Sequence, residues 1–334
     1  MNLDRRKSKI LYIGLDYYHY PKMITEGIEK LGYQVDYYPI EPRTLFYKMT
    51  RYLFKLAYRK ALDKYHDMII TKSRAIKYDK VFFITTHFFS IDNLDKLKES
   101  QHRAEFISYH WDSLSKDYRY LETRDYFNRI YSFDKADCDR HGILYLPLFA
   151  SGIYSGFSER KGEQDMDIYM VGSIVQTKRY QLVQEFKNFC HKNGISFYFH
   201  LKVTPVTYLK LLLSRVIPRG VSFHTMEGNL MKEIVGRSRA VLDVTNHEQS
   251  GLTMRVIENI AIGKKLVTTN INIEKEPFYN KNQVFLLGKD NMNRLKDFIM
   301  LDIKIEKHPE LFLDFWLKKI FNDVEGRDEN NGVN

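Results

Sequence analysis

AVLDVTNHEQSGLTMRVIENIAIGKKLVTTN, residues 240–270, is the stretch that decides the fold. An apolar run that ends at Asn246 reads as a buried strand. A polar loop holding Ser250 and Gly251 follows, and a helix begins near Leu252 or Thr253. The helix stops at Gly263, before a second apolar strand. Glycine at a helix start lets backbone come close to a phosphate, and the unpaired amides there favour an anion. Arg255 lies one turn in, and Glu258 is three residues further along the same side. An arginine beside a diphosphate and a carboxylate facing ribose hydroxyls suit a nucleotide. A plain strand–loop–helix unit, with Arg255 and Glu258 paired at the surface, has the same spacing.

The same alternation extends in both directions. KILYIGL (residues 9–15) reads as a strand, MITEGIEKLG as a helix with apolar Ile24, Ile28 and Leu31, and YQVDYYPI as the next strand. Strand, helix and strand within about 30 residues make a parallel βαβ opening. KVFFITT, EFISYH and ILYLPLF continue the strands, and SIDNLDKLKES reads as a Ser-capped helix. DIYMVGS opens a second series, closed by QVFLLG. The chain therefore reads as α/β, with two doubly wound Rossmann-like domains facing across a cleft. The expected division is 1–150, a linker at 151–166, a second domain at 167–305, a closing amphipathic helix at 306–324, and a disordered tail at 325–334.

Composition limits the function classes. The 334 residues suit two domains, and the net charge of +10 favours an anionic partner. Cys138 and Cys190 form neither a disulfide framework nor a metal-ligand spacing, which fits a reducing, cytoplasmic setting. No run of about 18 apolar residues or signal-like start occurs, so the expectation is a soluble or peripheral protein on the inner face of the membrane. Only Gly14 follows the first strand, which disfavours a dinucleotide oxidoreductase. No nucleic-acid module is recognisable, and no nucleic-acid partner is expected.

GLTMRVIENIAIGKKLVTTN resembles the donor-binding segment of GT-B glycosyltransferases, in particular bacterial lipopolysaccharide and capsule enzymes and the glycosyltransferases related to a spore-maturation protein. The resemblance implies a second domain that binds a nucleotide-sugar, with Glu258 matching a ribose-contacting glutamate. The pattern Glu-x7-Glu of retaining enzymes is not intact, because Ser250 stands eight residues before Glu258. MDIYMVGSIVQTKRYQLV is similar to the opening of the same domain, which implies that Gly172, Ser173, Lys178 and Arg179 meet the diphosphate. The implied donor set is thus Gly172, Ser173, Lys178, Arg179, Asn246, Ser250, Gly251, Leu252, Thr253, Arg255 and Glu258. The implied activity is transfer of a sugar to a glycan or lipid-linked glycan acceptor, as in lipopolysaccharide or capsule synthesis. A catalytically inactive GT-B-like scaffold is the alternative.

An acceptor hydroxyl needs a general base, and strand ends of the first domain supply candidates. These are His110, Asp112 and Asp16, with His87 beside them. Two Asp-x-Asp triplets, Asp137–Asp139 and Asp165–Asp167, raise a metal-dependent GT-A-type transferase as a further alternative. The expectation is that neither a metal nor another cofactor is required. RTLFYKMTRYLFKLAYRKALDKY, residues 43–65, interleaves basic and aromatic residues at helical spacing. It predicts one basic amphipathic helix, with Arg51, Lys55, Arg59 and Lys60 meeting an anionic membrane surface.

Overall fold

Parallel strands buried on both faces carry near-continuous apolar runs, and KILYIG and KVFFI are of this kind. They form the centre of a six-stranded parallel sheet of order β2-β1-β3-β4-β5-β6. Its strands are β1 Lys9–Gly14, β2 Gln34–Pro39, β3 Lys80–Ile84, β4 Glu105–His110, β5 Arg129–Ser132 and β6 Leu144–Tyr145. A second parallel sheet has order β12-β11-β10-β7-β8-β9. It comprises β7 Met166–Ser173, β8 Phe197–Lys202, β9 Val221–Ser222, β10 Ser238–Asp243, β11 Lys265–Thr268 and β12 Val284–Leu286. The computed structural model describes residues 7–17, 19–114, 119–152, 164–226, 228–245, 250–303 and 305–322, with no side-chain description at 48 and 52. Most of the expected linker (153–163), Asn246, Glu248 and the expected tail at 325–334 lie outside these residues.

The chain divides into two units, Met1–Pro147 with Leu313–Asn334, and Leu148–Phe312. The second begins at Leu148, within the 1–150 segment expected for the first. The closing helix, α12, runs Leu313–Asn322 after a 3-10 turn at Pro309–Leu311, and it packs on the first unit. Gly27 of α1 (Tyr20–Lys30) allows the close approach, since a Cβ there would lie 2.3 Å from Leu317 Cδ1. Trp316 meets Tyr109 edge-on at 4.8 Å, and Phe321 meets Phe82 at 5.3 Å. With Leu317 and Ile320 also buried, four large side chains at roughly 2 kcal/mol each contribute on the order of 8 kcal/mol of gross burial.

In each sheet the strand order reverses at one point. Successive strands run from β1 toward β2 on one side and from β3 outward on the other, so the first switch lies between β1 and β3. In the second unit it lies between β7 and β10. Loops leaving the carboxyl ends of strands at such a point frame a crevice that no crossover covers, and ligands bind there.

The single helix expected over 43–65 is two helices, α2 Leu45–Leu53 and α3 Lys55–Ser73. Phe54 separates them at φ −138°, ψ 68°, outside the helical region. The break turns α2 back on α3, where Tyr47 donates to the Ala61 carbonyl at 3.1 Å and meets Tyr58 edge-on at 6.4 Å. The expected strand over ILYLPLF shrinks to Leu144–Tyr145, and β10 ends at Asp243 rather than Asn246. Among the described residues, no helix is long and apolar enough to cross a membrane.

Candidate functional site

The carboxyl end of β10 places Asp243 at the switch point of the second sheet, with 0% of its surface exposed. A buried carboxylate needs partners for its lone pairs, and three side chains supply them. Arg255 Nη1 donates to Oδ1 at 2.9 Å, Thr253 Oγ1 donates to the same oxygen at 3.0 Å, and Thr245 Oγ1 donates to Oδ2 at 2.8 Å. Thr253 also caps α10 (Met254–Ala261) by accepting from the Val256 amide at 3.4 Å. Asp243 therefore fixes both the start of α10 and the direction of its arginine.

Arg255 crosses the end of β7. A Cβ on Gly172 would stand 2.3 Å from Arg255 Nη2, so only glycine leaves room for the guanidinium. Beyond Gly172, Arg179 in the first turn of α7 (Thr177–Lys192) donates through Nη1 to the Ser173 carbonyl at 3.0 Å. Its Nε is buried without a hydrogen-bond partner among the described residues. Burial, and then the nearby Arg255 charge, lower the Arg179 pKa to about 10. Two guanidiniums thus share one corner with one buried carboxylate. The N-cap of α7, Gln176, makes no side-chain capping bond, so its side chain satisfies none of the first-turn amides of that helix. An under-bonded charged donor costs about 1–3 kcal/mol when buried. An anion placed there would recover that cost.

The expected donor residues fall into groups. Gly172, Ser173, Arg179, Thr253 and Arg255 come together around Asp243. Ser250 and Gly251 lie on the loop before α10, and Asn270 Nδ2 donates to both carbonyls at 3.2 Å. Leu252 is buried in the apolar interior, so it packs rather than presenting a polar group. Lys178 is exposed in the first turn of α7. Glu258 is 9% exposed on α10, which excludes the surface pair with Arg255. Its neighbour Asn259 accepts from buried Tyr169 at 2.8 Å and donates to the Arg255 carbonyl at 2.8 Å. Asp243, Thr245 and Asn270 were not identifiable as site residues in the sequence. A polar residue closing an apolar strand was their only signal.

In the first unit, His110 ends β4 and is 4% exposed. Burial, reinforced by the His87 and His141 imidazoles, lowers its pKa to about 3, so it is neutral near pH 7. Tyr120 covers it edge-on at 5.4 Å. Asp112 is exposed on the following loop. Asp16, beyond β1, is half-exposed and 3.9 Å from Arg43, whose guanidinium lies over the Tyr17 ring at 4.4 Å. His87, on the loop after β3, is half-buried and lines a cavity that Arg51 and Phe88 also border.

Both Asp-x-Asp triplets have other work. Asp137, in α6 (Lys135–His141), is buried and accepts from Ser113 Oγ at 2.9 Å and the Leu114 amide at 2.7 Å, holding the loop after β4. Asp165 pairs with Arg237 at 2.6 Å. Asp167 lies in β7 and accepts from the Ser196 amide at 2.8 Å at the opposite end of the strand from Gly172. No group of three His, Cys, Asp or Glu is placed to hold a metal among the described residues.

The sequence matches no protein-family model and no curated protein. Solved structures do share its fold. An alpha-glucosyltransferase in complex with UDP and a 13-mer DNA containing a central A:G mismatch is similar at TM-score 0.57 and 12% identity, over 87% of this chain and 89% of that one. An alpha,alpha-trehalose-phosphate synthase (UDP-forming) from Burkholderia vietnamiensis gives TM-score 0.56 and 11% identity over 87% and 91%. AviGT4, a glycosyltransferase involved in Avilamycin A biosynthesis, gives 0.54 and 12% over 94% and 93%. The shared architecture is the two-sheet GT-B fold, so the single-domain GT-A arrangement does not describe this chain.

Proposed function

We propose that this chain is a glycosyltransferase that moves a sugar from a nucleotide-sugar donor to a surface-glycan acceptor of the lipopolysaccharide or capsule kind. One observation carries the reading. Arg255, held by Asp243 across Gly172, stands beside the under-bonded Arg179 at the switch point of the second sheet. Two preorganised cations in the first turns of α7 and α10 fit a diphosphate, and they would stabilise charge as it develops on the leaving group. Glu258, one turn further along α10, is the proposed ribose contact. Uridine diphosphate sugars are the first donors to test, because two of the similar structures bind or form UDP.

The charge at this corner comes from arginine, so the proposed reaction needs no divalent cation at the donor. On the acceptor side, Asp16, Asp112 and His87 lie nearer to solvent than His110, whose burial disfavours proton exchange with a bound hydroxyl. The direct test is release of UDP from UDP-glucose and related nucleotide-sugars by the purified chain. Release above the uncatalysed rate supports a transferase. No release from any nucleotide-sugar, despite tight nucleotide binding, would favour an inactive scaffold.

Contact with an anionic membrane through α2 and the start of α3 is part of the same reading. Phe46 and Phe54 are 56% and 62% exposed, and Leu45, Met49, Leu53 and Leu56 are exposed beside them. Arg51, Lys55, Arg59 and Lys60 are exposed along the same segment. Apolar residues at headgroup depth with a basic flank suit peripheral attachment, at about 1 kcal/mol per cation near the surface. Co-sedimentation with phosphatidylglycerol vesicles tests it. Equal sedimentation of a Phe46→Ser, Phe54→Ser, Lys60→Glu variant would reject α2 as the contact.

A further inference from the structure

A cavity of about 590 Å3 opens in the first unit, between the α2–α3 pair and the loop that leaves β3. Its volume lies in the range that holds a small ligand. Four cations border it, Arg51, Lys55, Arg59 and Arg119, against two carboxylates, Asp63 and Glu122. Arg51 reaches Glu41 at 3.1 Å and Arg119 reaches Glu122 at 3.4 Å. Among the described residues, Lys55 and Arg59 have no ion-pair partner. The cavity therefore holds positive charge that its own walls do not neutralise.

Its other wall is aromatic. Phe88 and His87 stack obliquely at 4.1 Å on the loop, and Arg51 lies over the Phe88 ring at 5.6 Å. The backbone that presents them is strained. Thr85, at the end of β3, has φ 70°, a left-handed conformation that is an outlier for a β-branched residue. Its amide is tied to the Tyr109 carbonyl at 3.0 Å, and Thr85 and Thr86 are buried. Strain of this kind persists where surrounding structure enforces it, and it clusters at ligand sites. Here it turns the chain at the switch point of the first sheet, so that His87 and Phe88 face the cavity.

We infer that this cavity binds the acceptor through a phosphate ester on its saccharide head, with Lys55 and Arg59 on the phosphate and Phe88 against the sugar ring. The inference rests on the transferase reading above and adds the chemical class of the acceptor. Cations with no internal partner recognise a dianionic group, and an aromatic face packs against the apolar face of a sugar. The exposed apolar residues of α2 adjoin this cavity in sequence, which suits an acceptor whose phosphate joins a sugar to a lipid.

The full chain, saturated with UDP to occupy the donor corner, is titrated with glucose 1-phosphate, glucose and inorganic phosphate. Glucose 1-phosphate is expected to bind at least tenfold more tightly than either other probe. Lys55→Gln with Arg59→Gln should weaken it tenfold or more, and Phe88→Leu should weaken glucose 1-phosphate but not inorganic phosphate. UDP affinity should stay the same in all three proteins, which also reports that they fold. Absence of glucose 1-phosphate binding, an unchanged affinity in the double variant, or its displacement by UDP would overturn the assignment. So would a double variant that loses phosphatidylglycerol vesicles while keeping glucose 1-phosphate, because the cations would then serve a membrane surface. If no nucleotide binds but glucose 1-phosphate binding still depends on Lys55 and Arg59, the donor reading fails and the cavity assignment stands.

Discussion

Arg255 and Asp243 meet at 2.9 Å across the carboxyl end of the second sheet, and the carboxylate is wholly buried while the guanidinium keeps 15% of its side chain exposed. The pair is asymmetric in what it does. Asp243 spends its oxygens on Arg255, Thr253 and Thr245, whereas Arg255 turns its second nitrogen toward Gly172. The carboxylate is thus a positioning group for the cation.

Asp243→Asn keeps the shape but removes the charge that holds Arg255. Breaking a buried pair from one side costs about 3–5 kcal/mol, and the retained amide oxygen should soften this to roughly 2–3 kcal/mol. The expected result is a lowered denaturation midpoint together with weaker nucleotide binding. A midpoint equal to the parent's would show that the pair contributes little.

Gly172→Ala tests the same corner from its other side. The added methyl meets the Arg255 guanidinium and pushes it off Asp243. Stability should fall by roughly 2–3 kcal/mol, as in Asp243→Asn, and UDP affinity about tenfold. A denaturation midpoint and an affinity equal to the parent's would mean that the methyl is accommodated with Arg255 in place.

The alternation of strands and helices was legible because parallel strands buried on both faces write long apolar runs, as KILYIG and KVFFI do. The corner itself was partly legible. Gly172, Arg179 and Arg255 stood out by residue type and by resemblance, but Asp243 did not, because an acid closing a strand is ordinary until three donors converge on it. The break at Phe54 was invisible, since nothing in LFKLAY departs from helical composition. Burial was not legible either: His110 stood out by its place at a strand end, and its packing under Tyr120 did not.

Acid should destabilise the first unit through His66. Its Nε2–H donates to the Ile40 carbonyl at 2.8 Å, its ring stacks on Phe89 at 3.8 Å, and burial lowers its pKa to about 4. The unfolded chain, with an ordinary value near 6.5, binds the proton first as pH falls. Stability is therefore fully present above about pH 6.5 and is lost as pH drops toward 4, by on the order of 3 kcal/mol. His66→Gln keeps a donor for Ile40 and should flatten denaturation midpoints over this window. A slope unchanged by the substitution would assign the acid sensitivity elsewhere.

Chelation gives a further expectation. Turnover should survive EDTA, because in the proposed reaction Arg179 and Arg255 would supply the charge at the donor, and Asp137→Asn should act through stability by freeing the loop at Ser113 and Leu114. Abolition of turnover by EDTA, restored by a divalent cation, would place a metal in the reaction.

The most direct measurement is calorimetric titration of UDP into the parent, Arg179→Gln and Glu258→Ala. The parent should bind UDP, Arg179→Gln should bind it more than tenfold more weakly, and Glu258→Ala should lose affinity for UDP but not for pyrophosphate. Denaturation midpoints should show that both variants remain folded. If the parent binds no nucleoside diphosphate, or Arg179→Gln binds UDP as the parent does, the corner between β7 and β10 is not a donor site.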